Sequence, residues 1–290
     1  MLVELNKVAN DTNLFLKSFL KSQKKTPLLH AMNYGLFSGG KKIRSKILVD
    51  VGKIFNIDYK KLIIVGSAVE CIHSYSLIHD DLPCMDNDKT RRGKPSTHVK
   101  FGESTAVLAG NSLLTLAYEI LGTKLLKVDN ITIINLIKKI SECSGHLGIA
   151  GGQYLDLSYE HKKVSQRMVT NMEIKKTGKL FSFCCAAPLI MKKRKIKEIK
   201  FFENIGSEIG LLFQIADDLI DHFGKSSIAG KKTKKDQKQG KATLISLLGE
   251  QNAIKYSKNL INGLNKKLKK YGSKSNDLIR TLDYILNRSK

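Results

Sequence analysis

The sequence predicts a single all-α domain over residues 1–290, because prolines and strand patterns are rare and long apolar segments are frequent. Only 4 of the 290 residues are proline, which favours long helices over many turns. Runs that alternate apolar and polar residues, as half-buried strands do, are nearly absent. A hydrophobic content of 42% is enough for a sizeable core. We therefore expect a helical bundle around a deep central cavity.

The first part of the chain predicts four helices. The third of them should begin beside the glycine turn at 38–40, so that Lys41 and Arg44 share a helical face as an anion grip. The fourth is long and apolar all round, and Pro83 should end it near a group of aspartates because Pro disfavours helical geometry at Leu82. The predicted helices are Leu2–Lys21, Leu28–Phe37, Lys41–Phe55 and Lys60–His79.

Helical patterns continue after a polar loop at 87–102. A break is expected at Lys176–Gly178, and residues 224–243 are too polar to pack. The predicted helices are Glu103–Leu126, Ile131–Leu147, Val164–Lys176, Gly178–Met191, Ile196–Phe223, Leu244–Tyr271 and Asn276–Arg288.

Composition narrows the class of protein. The net charge of +24 would attract any anion, but the lysines are scattered and no recognition motif appears, so no nucleic-acid partner is predicted. The 5 cysteines contain no CxxC pair and indicate reduced thiols in a cytoplasmic protein. Apolar runs such as Leu62–Val69 are shorter than the ~18 residues of a membrane span, and Glu4 and Asp11 argue against a signal peptide.

Two aspartate clusters carry the chemistry that the sequence suggests. Asp80, Asp81, Asp86 and Asp88 fall within nine positions, and a second cluster occupies 217–221. Asp217 and Asp221 are spaced i, i+4 and lie on one helical face, where like charges repel. A divalent cation would offset that repulsion.

The ligand type selects the cation. Carboxylates without a Cys or His cage disfavour zinc and suit Mg²⁺, Mn²⁺ or Ca²⁺. Mg²⁺ takes one or two carboxylates and leaves positions for phosphate oxygens. Arg91 and Arg92 follow the first cluster, and their guanidinium groups match a diphosphate.

These residues carry a family resemblance. His73–His98 resembles the first aspartate-rich motif of the trans-isoprenyl (polyprenyl) diphosphate synthases, and Phe213–Asp221 resembles their second. Within the family the chain most resembles the bacterial-type farnesyl diphosphate synthases. The other matching segments are Gly39–Arg44, Gly151–Gln153, Lys176–Gly178, Gly240–Thr243 and Asp283–Ile285.

The resemblance implies an isoprenoid-synthase-type bundle, a homodimer, and head-to-tail condensation of isopentenyl diphosphate with dimethylallyl or geranyl diphosphate to farnesyl diphosphate. Mg²⁺, with Mn²⁺ as a substitute, would assist formation of an allylic carbocation. The implied catalytic residues are Asp80, Asp86, Asp217, Lys176 and Arg91. The implied metal ligands are Asp80, Asp81, Asp86, Asp217, Asp218 and Asp221. The implied substrate-binding residues are Lys41, Arg44, His73, Arg91, Arg92, Lys176, Thr177, Gln214, Lys231 and Lys241. Tyr75 and Ser76 are the implied chain-length residues.

Several alternatives stay open at this stage. Geranyl or geranylgeranyl diphosphate could be the product, and a terpene cyclase or a non-catalytic basic subunit would share part of the pattern. His73 and Tyr75 could be ordinary core residues, and Gln153 and Asp156 could be either supporting site residues or polar core residues. The chain also has Ser45 where the family usually has Pro, which predicts a looser turn there. It has Leu244-Ile245 where the family often has Tyr-Pro, which makes the anchor of the preceding polar segment 224–243 less certain.

Overall fold

The computed structural model describes residues 1–223 and 241–287. The chain divides into two compact units, Met1–Ile137 and Lys138–Lys290. Within the described ranges the only strands are Thr90–Arg91 and Lys94–Pro95, which form a small antiparallel pair. The protein is therefore all-α, as predicted.

The first unit is built from helices around one long central helix, α4. Its elements are α1 (Leu2–Lys21), α2 (Leu28–Leu36), α3 (Ile43–Ile54), α4 (Tyr59–Asp80), α5 (Thr97–Phe101), α6 (Glu103–Leu121) and a 3₁₀ turn (Lys124–Leu126). Helix α7 (Asn130–Ser144) contains the boundary to the second unit.

Helix α4 forms the core of this unit. The side chain of Asp58 caps its first turn by accepting a hydrogen bond from the Lys61 amide at 3.2 Å. Helices α1, α3 and α6 pack against it. By length and composition α4 could cross a membrane, but 78% of its apolar window is buried inside the protein, as in the core helix of a globular unit.

The regular elements of the second unit are also all helical within its described residues. Its elements are α8 (Ile149–Tyr159), α9 (Gln166–Glu173), a π-helical turn (Ile174–Gly178), α10 (Lys179–Met191), α11 (Ile196–Phe223), α12 (Leu244–Leu248), α13 (Glu250–Leu268), a 3₁₀ segment (Lys269–Ser275) and α14 (Asn276–Asn287).

The core of the second unit lies between α10 and α11. Almost the whole of α10 is buried, including Phe181 and Phe183. Gly206 of α11 lies against the α10 backbone, where an added Cβ would be 2.4 Å from the Phe181 carbonyl oxygen. The glycine therefore lets the two helices approach at backbone distance.

Three local features differ from the sequence prediction. Lys42 has a left-handed backbone (φ 50°), so α3 begins at Ile43 and not at Lys41. Gly249 (φ 75°) divides the predicted helix Leu244–Tyr271 into α12 and α13. The break expected at Lys176–Gly178 is instead a π-helical turn that continues α9 into α10.

Candidate active site

The first aspartate cluster lies where α4 ends. After Asp80 the chain turns back on the helix end, and the Asp86 amide donates to the Asp80 carbonyl oxygen at 2.9 Å. The Asp88 amide likewise donates to the Asp81 carbonyl oxygen at 3.1 Å. The helix thus ends before Pro83, as predicted, and the turn places the Asp86 backbone beside that of Asp80.

Arg91 is fixed by Asp81. Its Nε donates to Asp81 Oδ1 at 3.0 Å and to Oδ2 at 3.2 Å, and its Nη2 also donates to Oδ1. Burial alone would lower the pKa of Arg91, but Asp81 and then Asp88 and Asp80 raise it above its ordinary value. Both oxygens of Asp81, which was predicted to bind metal, thus hold a guanidinium in the structure.

Arg92 is held in a glycine cradle. Its Nη1 donates to the Gly39 carbonyl oxygen and, at 3.3 Å, to Ser38 Oγ. Gly40 has φ +99°, and a Cβ there would be 2.7 Å from the Arg92 Cζ. Glycine is required because a side chain would both strain the backbone and displace the guanidinium.

His73 and Arg44 form a pair at the surface of α4 and α3. Arg44 Nη1 donates to His73 Nε2 at 3.2 Å, which places the imidazole proton on Nδ1 because a guanidinium cannot accept. Burial lowers the pKa of His73 well below its ordinary value, and Arg44 and Arg92 lower it further. His73 is therefore a neutral group within a cationic cluster.

Lys41 does not share a helical face with Arg44, contrary to the prediction. It lies before α3 and its side chain is exposed, whereas the neighbouring Lys42 is buried. The cause is the left-handed backbone of Lys42, which turns the chain just before the helix begins.

Sequence reasoning missed Glu70. This carboxylate is 2% exposed and lies 3.7 Å from Lys42 Nζ. Its Oε1 accepts from the Ser45 amide at 3.3 Å and from Ser45 Oγ at 3.0 Å. Ser45 thereby ties the start of α3 to α4. The looser turn expected from Ser45 replacing Pro stays a prediction. One acidic residue inside an apolar helix was the signal that could have identified Glu70.

The two predicted chain-length residues lie about one turn before Asp80 on α4. Tyr75 is partly buried, and burial raises its pKa, with Asp80 and Tyr118 raising it further. Its ring packs edge-to-face on His79, with 5.3 Å between ring centroids. Ser76 is 9% exposed and donates to the His73 carbonyl oxygen at 2.9 Å.

In the second unit, Asp156 joins two of the predicted cations. Its Oδ2 accepts from Lys176 Nζ at 2.6 Å and from Lys241 Nζ at 3.1 Å. Burial would raise the pKa of Asp156, but the two lysines lower it below its ordinary value. An added Cβ on Gly152 would be 2.2 Å from the Lys176 amide nitrogen, so the absence of a side chain at Gly152 permits this close approach.

A hydrogen-bonded chain connects the π-helical turn to the second aspartate cluster. Thr177 Oγ1 donates to Gln214 Oε1 at 3.0 Å, and Gln214 Nε2 donates to Asp218 Oδ1 at 2.8 Å. Gly210 makes this possible, since a Cβ there would be 2.4 Å from the Gly178 Cα. Helix α11 therefore contacts the π-helical turn through backbone.

The aspartates of α11 differ in exposure. Asp217 is partly exposed, while Asp218 and Asp221 are 5% and 7% exposed. Within the described ranges no three His, Cys, Asp or Glu side chains stand together as a ready-made metal cage. The predicted ligand Lys231 lies outside the described residues.

The family model and the similar known proteins indicate the same family. The model of the family described as "Polyprenyl synthetase" matches residues 25–282. The farnesyl diphosphate synthase of Escherichia coli (strain K12) is 38% identical over 270 residues, which cover 91% of this chain and 90% of that protein.

Solved structures agree. The apo structure of an FPP/GFPP synthase from Zymomonas mobilis has a TM-score of 0.88 and 37% identity, covering 98% of this chain and 100% of that one. A geranyltransferase from Helicobacter pylori, described as complexed with magnesium and isoprenyl diphosphate, has a TM-score of 0.81 and 31% identity, covering 98% and 96%. From its family match, its relatives and its helical structure, the chain belongs to the polyprenyl synthetase family.

Proposed function

We propose that this protein is a short-chain prenyltransferase that condenses isopentenyl diphosphate head-to-tail with dimethylallyl and geranyl diphosphate to give farnesyl diphosphate. The observation that carries the proposal is the pairing of aspartates with fixed cations in each unit. In one unit Asp81 holds Arg91 one residue after Asp80. In the other Asp156 holds Lys176 and Lys241, and Thr177 is linked through Gln214 to Asp218 of the second cluster. The Escherichia coli relative, 38% identical, is named a farnesyl diphosphate synthase.

The donor set fits magnesium. All the candidate ligands are carboxylates, and Mg²⁺ binds through one or two of them while keeping positions for water and phosphate oxygens. Asp80, Asp86 and Asp217 would hold the ions, with Asp218 and Asp221 beside them, whereas we assign Asp81 to Arg91. When bound, Mg²⁺, or Mn²⁺ in its place, supplies charge neutralisation to the departing diphosphate.

The cations of the second unit bind the allylic diphosphate in this proposal. Lys176 and Lys241 are held by one carboxylate, Asp156, whose lowered pKa keeps it charged at neutral pH. Thr177 is oriented through Gln214 and adds a hydroxyl. Lys231 remains a proposed ligand on the sequence resemblance alone.

The cations of the first unit bind isopentenyl diphosphate. Arg92 lies in its glycine cradle, Arg44 is oriented by His73, and Lys41 is exposed. Because His73 is neutral and its Nε2 accepts from Arg44, it adds neither a further charge nor a base. The proton lost in the condensation would go to the released diphosphate, since the reaction needs no protein nucleophile or base. The apolar surroundings would exclude water from the carbocation.

The test is a pair of single substitutions, one in each aspartate cluster. Asp80→Ala and Asp217→Ala are each expected to lower turnover by at least about 10²–10³-fold, the usual effect of removing one electrostatic contact to the transition state. The exposed Asp283→Ala is the matched control. The assay is incubation with isopentenyl diphosphate, geranyl diphosphate and Mg²⁺, followed by chromatography of the dephosphorylated alcohols. Near-normal activity in either cluster variant, with its helical circular dichroism intact, would refute the proposal.

Product length is proposed to depend on Tyr75, supported by Ser76. Tyr75→Ala is expected to lengthen the product, because removing the ring opens space for the growing chain. Geranyl or geranylgeranyl diphosphate remains the alternative product, and the Zymomonas mobilis relative is named for two products. An unchanged alcohol profile for Tyr75→Ala would show that this ring does not limit chain length.

We also propose a cytoplasmic homodimer. None of the five cysteines, all of them among the described residues, forms a disulfide, which suits a reducing compartment. Val107 and Leu108 of α6 and Ile131 and Ile134 of α7 are exposed apolar side chains that a second copy could cover. Light scattering coupled to size-exclusion chromatography tests the assembly, and a monomeric mass would exclude it.

A further inference from the structure

One aromatic contact on α4 has no part in binding or chemistry. His79 follows Tyr75 by four residues, so the two side chains share a face of the helix. Their rings pack edge-to-face with centroids 5.3 Å apart and an interplanar angle of 86°. His79 is therefore in direct contact with the proposed chain-length residue.

The neighbouring helix α6 fixes the His79 ring from the other side. His79 Nε2 lies 3.1 Å from the Val107 carbonyl oxygen. Because a carbonyl only accepts, Nε2 carries the proton and donates it. The His79 ring is thus held by a hydrogen bond to α6 and by its edge-to-face contact with Tyr75.

Gly110 provides the space for this ring. An added Cβ at Gly110 would be 2.2 Å from His79 Nε2 and 2.4 Å from its Cδ2. Glycine is unfavourable inside a helix, and Gly110 lies in the middle of α6 with an ordinary backbone. The close approach of His79, and not backbone conformation, is the feature that requires glycine there.

We propose that His79, seated by Gly110 and Val107, is a positioning residue that holds the Tyr75 ring in the orientation that limits product length. This inference rests on the proposed function and on Tyr75 as the chain-length residue. If the His79 ring is removed or displaced, Tyr75 is free to rotate, and the growing prenyl chain can pass it more often.

Two variants test the inference in different ways. His79→Ala removes the ring, whereas Gly110→Ala keeps the imidazole and displaces it with a methyl group. An aromatic pair of this type biases its geometry by a factor of about 2 to 10. Each variant should therefore raise the ratio of C20 to C15 alcohols by about 2- to 10-fold. Gly263→Ala is the matched control, because a Cβ there meets nothing within 4 Å.

A double-mutant cycle separates positioning from an independent effect. In a Tyr75→Ala background, His79→Ala is expected to cause no further change in the C20 to C15 ratio, since it acts through Tyr75. A purely structural His79 would lower thermal stability without moving the ratio. If circular dichroism shows that one variant is poorly folded, the other variant and His79→Gln provide the measurement. Glutamine can still donate a hydrogen bond to the Val107 carbonyl oxygen but has no ring to pack on Tyr75.

The outcomes are distinct. An unchanged product ratio in His79→Ala and Gly110→Ala, with turnover retained, overturns the inference and leaves the proposed function intact. A further rise of the ratio in the Tyr75→Ala background also overturns it. No prenyl transfer by the unaltered protein would instead refute the proposed function.

Discussion

At the scale of single residues, Glu70 is one of the buried carboxylates beside cations in the first unit. It lies beside Lys42, accepts two hydrogen bonds from Ser45, and counteracts the effect of burial on the pKa of Arg92. Burial lowers the pKa of Arg92 and Glu70 raises it, so the carboxylate offsets part of the cost of burying this guanidinium. A group of cations can be assembled before any diphosphate arrives only if some anion offsets their repulsion.

Glu70→Gln is expected to lower the free energy of unfolding by about 3 kcal/mol, because it leaves Lys42 buried without its counter-charge. The KM for isopentenyl diphosphate should rise more than kcat falls, since the cations would be displaced from their binding positions. Urea unfolding and steady-state kinetics provide the two measurements. The double variant Glu70→Gln/Lys42→Met should regain much of the stability, and a double variant as unstable as the single would contradict this account.

His73 makes the stability of the ligand-free protein depend on pH. Its pKa is well below the ordinary value of 6.5, so below about pH 6.5 the unfolded chain binds a proton that the folded chain does not. The free energy of unfolding should therefore fall as the pH falls through this range, by up to about 1.4 kcal/mol per pH unit from this group. Above it the contribution is fully present.

The measurement is urea unfolding at pH 5.0, 6.0 and 7.5 for the unaltered protein and for His73→Gln. Glutamine can accept a hydrogen bond from Arg44 but does not titrate, so the variant should show a smaller loss of stability at low pH. Equal slopes for the two proteins would mean that His73 titrates normally.

At the scale of elements, the π-helical turn Ile174–Gly178 positions Lys176 and Thr177 of the second unit. It shifts the helical register between α9 and α10, and π-helical turns are frequent at functional sites. Gly152 of α8 and Gly210 of α11 contact its backbone from two directions. The absence of side chains at these two positions therefore decides where Lys176 and Thr177 lie.

Gly210→Ala should consequently disturb both stability and activity. The added methyl would lie 2.4 Å from the Gly178 Cα, which cannot move as a side chain could. We expect a loss of about 1–3 kcal/mol in the free energy of unfolding and a raised KM for the allylic diphosphate. Gly263→Ala is the control in open space and should be neutral or stabilising by about 0.5–1 kcal/mol. Equal effects of the two substitutions would refute the role given to the Gly210 contact.

At the scale of the whole molecule, Mg²⁺ and inorganic diphosphate should together stabilise the folded chain. Inorganic diphosphate and Mg²⁺ together are expected to raise the Tm, because both bind the folded chain. The two should raise it more together than singly, since each neutralises the charge of the other. At a ligand concentration of 100 Kd the stabilisation is about 2.7 kcal/mol. Scanning calorimetry with each ligand alone and with both provides the test.

The aspartate variants sharpen this test. Asp80→Ala, in one unit, and Asp217→Ala, in the other, should each weaken the combined shift in Tm, whereas Asp283→Ala should not. A shift that survives unchanged in one of the two cluster variants would show that the substituted aspartate does not take part in binding.

Local sequence predicted most of the helices and the composition of the candidate site. Helices Leu2–Lys21 and Ile196–Phe223 begin and end where predicted, because periodicity and breakers are local signals. The end of α4 near Pro83 was predicted for the same reason. The helix start at Ile43 was not, because the left-handed backbone of Lys42 has no Gly or Asn to signal it.

The sequence by itself determined the helical class, the two aspartate clusters and the supply of cations, since these follow from residue types at short spacing. Tertiary structure alone decided the partners: Asp81 with Arg91, Asp156 with Lys176 and Lys241, and Glu70 with Lys42. The physical reason is that a buried charged side chain pairs with whichever oppositely charged side chain the packing of the helices brings near it. In the hydrogen bonds of Asp81 and Asp156 the partners are between 10 and 85 positions apart in the sequence. No local pattern encodes such a choice.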